Sequence, residues 1–252
     1  MWVVEEDQAG LPLIGQAYIT PQSHTARLNF LLPEAASLTG QLPAMLDILI
    51  SDTAKLGARQ LLASVPNNHI LFEGLRRAGF SVCGSHTIWK IRQSELGWAA
   101  GEWETSLPTD EIGIRNLASA VTPTQLLAAD PLPESPLTGW VTRLRGEVRA
   151  YASARTGSAG IFLTLLVHPE LRQVDARLKD LLLMLQPGDR PVYIAIGPHM
   201  EWVARALERL GAQAGDEMAI LVRYMAVMER TPALRQALNQ GTKSTIPLIR
   251  NT

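Results

Sequence analysis

The chain has 252 residues, 46% hydrophobic and 19% charged, with 23 Lys+Arg against 24 Asp+Glu. This balance belongs to a folded globular protein and excludes a disordered chain or a broadly basic nucleic-acid surface. The one cysteine, Cys83, can form no internal disulfide, no apolar run reaches the ~18 residues of a membrane span, and Met1 opens no signal segment. The expectation is a cytoplasmic protein with neither nucleic acid nor membrane among its partners.

In chain order, residues 14–19 and 26–32 read as strands. Residues 43–56 read as a helix with Pro43 near its first turn, where the missing N–H costs nothing. An apolar strand follows at 61–66, then a helix of about twelve residues and another strand. Gly57 and Gly79 stand where a helix C-terminus wants positive φ. Residues 94–110 carry three Gly/Pro breaks and read as a linker, with Trp98 and Trp103 packing on a neighbouring domain. Pro131, Pro133 and Pro136 make residues 129–139 a loop. Small or apolar residues alternate with polar ones over 147–155, a half-buried strand, and 161–167 is a strand apolar on both faces. Val174, Leu178, Leu181, Leu182 and Leu185 fall on one helix face, with Gly188 as a candidate terminator. Residues 231–252 read as a frayed tail with one short helix at 233–238.

The chain also repeats itself. The hexapeptide 61–66 aligns with 193–198, Pro66 on Pro198, at an offset of 132 residues. The same offset sets Leu75 on Leu207, Arg77 on Arg209, Gly79 on Gly211 and Ile88 on Ile220. Each copy reads as apolar strand, Pro, helix, Gly, apolar strand, and this ordering favours duplication.

That order, with Val167-His168-Pro169-Glu170-Leu171-Arg172 ending the long strand and Leu210-Gly211 closing the later helix, resembles the GNAT (N-acetyltransferase) superfamily. In the first copy, Asn67-Asn68 at a helix start and Arg77-Ala78-Gly79-Phe80 at its end carry the same likeness. The resemblance implies an α/β fold of two GNAT-like mixed sheets flanked by helices. It further implies a truncated first half that begins at the family's second strand, since Met1-Trp2-Val3-Val4-Glu5-Glu6 is followed by Ile14-Gly15-Gln16-Ala17-Tyr18. Expected boundaries are 1–93 for the first half, 94–110 for the linker, 111–230 for the second half and 231–252 for the tail. The raw sheet edge of a truncated half would be covered by the linker, the tail or a second chain, so a homodimer partner is open.

The chemistry implied by the resemblance is transfer of an acetyl group from acetyl-CoA, as substrate, to an amine. The acceptor is a small molecule, a protein N-terminus or a lysine. In such proteins the pyrophosphate rests on N–H groups of a glycine-rich turn opening the helix after the long strand, where unpaired donors and the dipole favour an anion. The matching CoA-binding residues are Val167, Arg172, Gln173, Val174, Asp175, Ala176 and Arg177, with His199 at the start of the later helix. Asp175 and Arg177 replace the two small residues of the family's turn, and a carboxylate opposes pyrophosphate by on the order of 1 kcal/mol. The first half offers only 33–41, with Glu34 and a single Gly40.

Candidate catalytic residues are His168, a possible base with an ordinary pKa near ~6.5, and Glu170. The bland alternatives are a polar strand end and a solvated turn carboxylate. His199 either faces a ligand or caps its helix, and Asn67 and Asn68 read as caps. Where the family has a tyrosine proton donor on the later helix, this chain has Leu75 and Leu207. A non-catalytic GNAT-like domain that binds a small molecule or protein partner is therefore the competing reading. No metal-ligand spacing, serine-hydrolase elbow, P-loop or dinucleotide fingerprint occurs, so no metal cofactor is expected.

Overall fold

The computed structural model describes residues 13–20, 23–32, 41–92 and 102–225. Residues 1–6, 33–40 and 231–252, and Trp98, lie outside the described residues.

The elements run β1 (Ile14–Ile19), β2 (Thr25–Leu32), α1 (Gln41–Lys55), β3 (Gln60–Pro66), α2 (Ile70–Arg77) and β4 (Ser81–Ile91). Then come β5 (Glu104–Thr105), α3 (Glu111–Val121), α4 (Thr124–Ala129), β6 (Trp140–Leu144), β7 (Glu147–Gly157) and β8 (Gly160–Val167). The chain continues with α5 (Val174–Leu185), β9 (Val192–Ile196), α6 (Glu201–Arg209) and β10 (Gln213–Tyr224). The fold is mixed α/β, with two sheet regions flanked by helices. They merge into one ten-stranded sheet of order β1-β2-β3-β10-β4-β9-β8-β7-β6-β5.

The junction is an exchange. β10, from the second half, lies antiparallel between β3 and β4 of the first half, and β4 in turn lies antiparallel against β9 of the second. In the β4–β10 pair His86 faces Met218, Ser85 faces Ala219 and Thr87 faces Glu217. Under the 132-residue offset His86 maps onto Met218, and the other two pairs map onto each other. An approximate two-fold axis therefore passes through the sheet beside His86 and Met218.

Helices cover both faces. α1 and α2 pack on Leu61, Ala63, Val65, Ala219 and Leu221, and α5 and α6 pack on Ile161, Leu163, Leu165, Ile194 and Trp89. On the reverse face, α3 covers Val141, Tyr151 and Leu166, while Ala129 and Leu126 of α4 sit on Leu62, Ile220 and Val222. α4 thus shields a first-half face for which the described residues of that half offer no helix. The strap is fixed at its end. Gln60 Nε2 donates to the Ala129 carbonyl at 2.8 Å and to Thr25 Oγ1 at 2.9 Å, and Arg27 Nη2 meets Asp130 Oδ1 at 2.5 Å.

Some local expectations change. α2 has eight residues rather than twelve, because residues 66–69 form a turn closed by His69 N–H to Pro66 O at 3.0 Å. The cap is His69, whose ring accepts from Leu71 N–H, and not Asn67 or Asn68. α5 ends on Gln186 at φ 45°, two residues before Gly188, whereas Gly79 and Gly211 close α2 and α6 as expected. The linker is not featureless. Its β5 pairs with β6 at the far edge of the sheet, so its described part caps the second half and leaves the outer side of β1 without a strand among the described residues. Trp103 is buried there and donates from Nε1 to Arg177 O at 2.8 Å.

An ion pair between the half-buried Arg143 and the buried Asp110 anchors this edge. Arg143 Nη2 reaches both oxygens of Asp110, at 2.8 and 2.7 Å, and Leu107 N–H donates to the same carboxylate. Although burial alone would raise it, these donors hold the Asp110 carboxyl below its usual value. Asp110→Ala removes this two-pronged pair and the acceptor of the Leu107 N–H but leaves Arg143 its contact with Glu104, so it should cost about 1–2 kcal/mol in urea unfolding. Glu104→Ala, at the exposed side of Arg143, should cost less than about 1 kcal/mol.

Candidate functional site

Two places in the described chain join a break in the fold's surface to polar groups: the parting of two strands in the second half and a cavity on the two-fold axis.

The cleft follows from strand pairing. β8 and β9 run parallel through Ile161–Val192, Phe162–Tyr193 and Leu163–Ile194, and there the pairing ends. β8 continues to Val167 and β9 to Ile196, so the two strands part towards their C-terminal ends. β2 and β3 repeat the arrangement, pairing only through Thr25–Gln60, Ala26–Leu61 and Arg27–Leu62.

α5 opens at the mouth of the β8/β9 cleft. Gln173 precedes it in the left-handed region at φ 54°, and no side chain caps the first turn. Its leading N–H groups are therefore spared for an outside acceptor. The two residues that break the family's turn are engaged elsewhere. Asp175 Oδ2 lies 3.4 Å from Arg209 Nε on α6, which offsets its charge. Arg177 Nε donates to Arg172 O at 3.1 Å, and its guanidinium pairs with Glu102. Val167 and Arg172 through Arg177 thus stand together along the end of β8 and the start of α5.

His168 and Glu170 are also brought together. Glu170 N–H donates to His168 Nδ1 at 3.3 Å, so that nitrogen acts as an acceptor. Arg149 Nη2 lies 2.5 Å from Glu147 Oε2 and 3.5 Å from Glu170 Oε2, so with His168 these residues make a four-residue polar cluster beside the strand end. Leu75 and Leu207 are wholly buried in their cores, at 0% exposure, and present nothing to a ligand.

His199 does not join the α5 group in the second site. It lies in the 3-10 turn Pro198–Met200 after β9, caps nothing, and lines a cavity of 450 Å³. Asn67 lines the same cavity, as do Ser85 and Glu217. The 132-residue offset maps Asn67 onto His199 and Ser85 onto Glu217, so the cavity sits on the two-fold axis. Local spacing gave no sign of Ser85, Glu217 or Cys83, which also lines it; the offset alone could have linked them. Gly197 stands against this site, since a Cβ there would come within 2.5 Å of His199 Cε1 and 3.2 Å of Ser85 O.

No family model and no curated protein matches the chain. Solved structures do. A GCN5-related N-acetyltransferase from Sphaerobacter thermophilus superposes with a TM-score of 0.52 at 10% identity, covering 84% of this chain and 76% of its own. One from Kribbella flavida gives 0.52 at 14%, covering 86% and 89%. A conserved protein of unknown function from Staphylococcus epidermidis gives 0.56 at 11%, covering 89% and 96%. The chain has the GNAT fold. In this GNAT fold no described group of three His, Cys, Asp or Glu could hold a metal ion, and no described helix is long and apolar enough to cross a membrane.

Two histidines near the axis titrate against the fold. Burial pushes the His199 imidazole below its ordinary value. Burial, followed by the nearby Arg27 guanidinium, does the same to His86, which lies 3.3 Å from Ser64 Oγ. A lowered folded pKa means that the unfolded chain takes up the proton first, so stability falls as pH drops through the unfolded value near ~6.5. The melting temperature should be lower at pH 5.5 than at pH 7.5, and the double variant His86→Gln, His199→Gln should narrow the gap.

Proposed function

We propose that this chain binds an acyl-CoA, acetyl-CoA in the simplest case, in the β8/β9 cleft and transfers its acyl group to an amine. The observation that carries this reading is the parting of β8 and β9 directly before a helix whose first turn is uncapped. The Asp175–Arg209 pair supports it, because the carboxylate that would repel pyrophosphate has a cation beside it.

In the reaction the amine nitrogen attacks the thioester carbonyl carbon. The amine gives up a proton, the C–S bond breaks, and the thiolate leaves and is protonated. Removal of the amine proton falls to His168 or Glu170 in this reading. Gln173 through Ala176 hold the pyrophosphate through their backbone N–H groups, the Arg177 N–H being spent on the Gln173 carbonyl. The thiolate takes its proton from water, since Leu207 occupies the position where the family has its donor.

A second reading, a GNAT-like domain that binds without catalysis, is favoured by one specific observation: the full burial of both Leu75 and Leu207. Calorimetric titration with acetyl-CoA and desulfo-CoA separates the two. The first reading expects micromolar binding of both ligands, with acyl transfer to amines only from acetyl-CoA. Arg209→Ala should weaken binding and Asp175→Asn should strengthen it, each by about three- to ten-fold. His168→Ala should lose transfer while keeping affinity if it is the base. Absence of binding at millimolar ligand leaves the second reading.

A further inference from the structure

The cavity on the two-fold axis has a chemistry of its own. Its walls are mainly apolar, with the Phe72 ring, Leu126 and Pro198 among them. Its polar groups are Asn67, Ser85, His199 and Glu217. Among the described residues that line it, Glu217 alone carries a formal charge, and no Lys or Arg contributes. A volume of 450 Å³ falls within the range of small-molecule sites. An open, mainly apolar hollow with one carboxylate and no cation disfavours phosphates and carboxylates. It suits a ligand with one ammonium group on an apolar body, the ammonium paired with the carboxylate and the body set on an aromatic ring.

We infer that the axial cavity, built from both halves of the chain, is a binding site for a small hydrophobic amine, with Glu217 as the ammonium acceptor and Phe72 and Leu126 against its apolar part. Glu217 is exposed in the described chain, so a bound amine would be recognised by a carboxylate that no other side chain is shown to engage in an ion pair. Its counterpart under the offset is Ser85, so the site is asymmetric although β4 and β10 beneath it are matched. That asymmetry gives the ligand one orientation. Binding of the amine does not require CoA. The further statement that this amine is the acyl acceptor rests on the function proposed above.

The test uses 2-phenylethylamine and tryptamine as probes, with 3-phenylpropanoate and indole-3-propanoate as matched acids, titrated calorimetrically into the full chain without CoA. The inference expects saturable amine binding and acids at least about ten-fold weaker. Glu217→Gln should weaken the amines by about ten-fold and abolish the preference for them over the acids. In the unsubstituted chain, amines should slow alkylation of Cys83, the only thiol and a residue of the cavity wall, and acids should not. Gly197→Ala, which drives the His199 ring from its place, should also weaken amine binding. No amine binding at millimolar concentration, equal binding of amines and acids, or unchanged Cys83 alkylation would overturn the site. Amine binding without acylation after acetyl-CoA is added would instead overturn the transfer reading and leave the site standing.

Discussion

The antiparallel pairing of β4 with β10 is the contact on which the rest of the sheet depends. Without it the sheet would divide into β1-β2-β3-β10 and β4-β9-β8-β7-β6-β5, leaving β10 and β4 as long strand edges open to any partner. With it, each half completes the other. Leu221 and Ala219, from the second half, fill the core beneath α1 and α2, while Trp89 and Ile91, from the first, fill the core beneath α5 and α6. Neither core is the property of one half.

The same exchange brings the first half a cover that its own described residues do not supply. A sheet face needs a cover, and the reverse face of β3 and β10 receives α4, delivered from the second half across Leu62, Ile220 and Val222. Gln60 and Arg27 grip the end of that helix through its carbonyl and through Asp130. These are directional polar contacts at an otherwise apolar boundary. They set where the helix stops as well as that it packs.

Much of this was legible in the residues, element by element. The period of Val174 to Leu185 and the apolar run at 161–167 become α5 and β8 because burial on one face or two leaves a direct imprint on composition. The 132-residue offset, drawn from a few identities, coincides with the His86–Met218 register. Other features depended on partners far away in sequence. Nothing near Asp175 announces Arg209, and nothing near Asn67 announces that the neighbouring His69 would take the cap while Asn67 turned to a cavity. α3 carries Ile114, Leu117, Ala118 and Val121 at helical spacing, yet it follows a proline-broken stretch that reads as linker. β6 is five residues long and gains its identity from pairing with β5 and β7. The cleft itself, a place where two strands stop pairing, has no residue signature at all.

The exchange has a consequence in time. A ribosome finishes β4 at Ile91 but does not reach Tyr224 until about 130 residues later, on the order of ten seconds at ~5–20 residues per second. Throughout that interval the emerging first half holds β3 and β4 without the strand that belongs between them, and the apolar faces around Leu61 and Leu62 without their full cover. The order of synthesis thus exposes two strand edges for longer than a small domain takes to fold. Protection of the nascent chain over that window, by chaperones or by its own transient pairings, becomes part of what the topology demands of the cell.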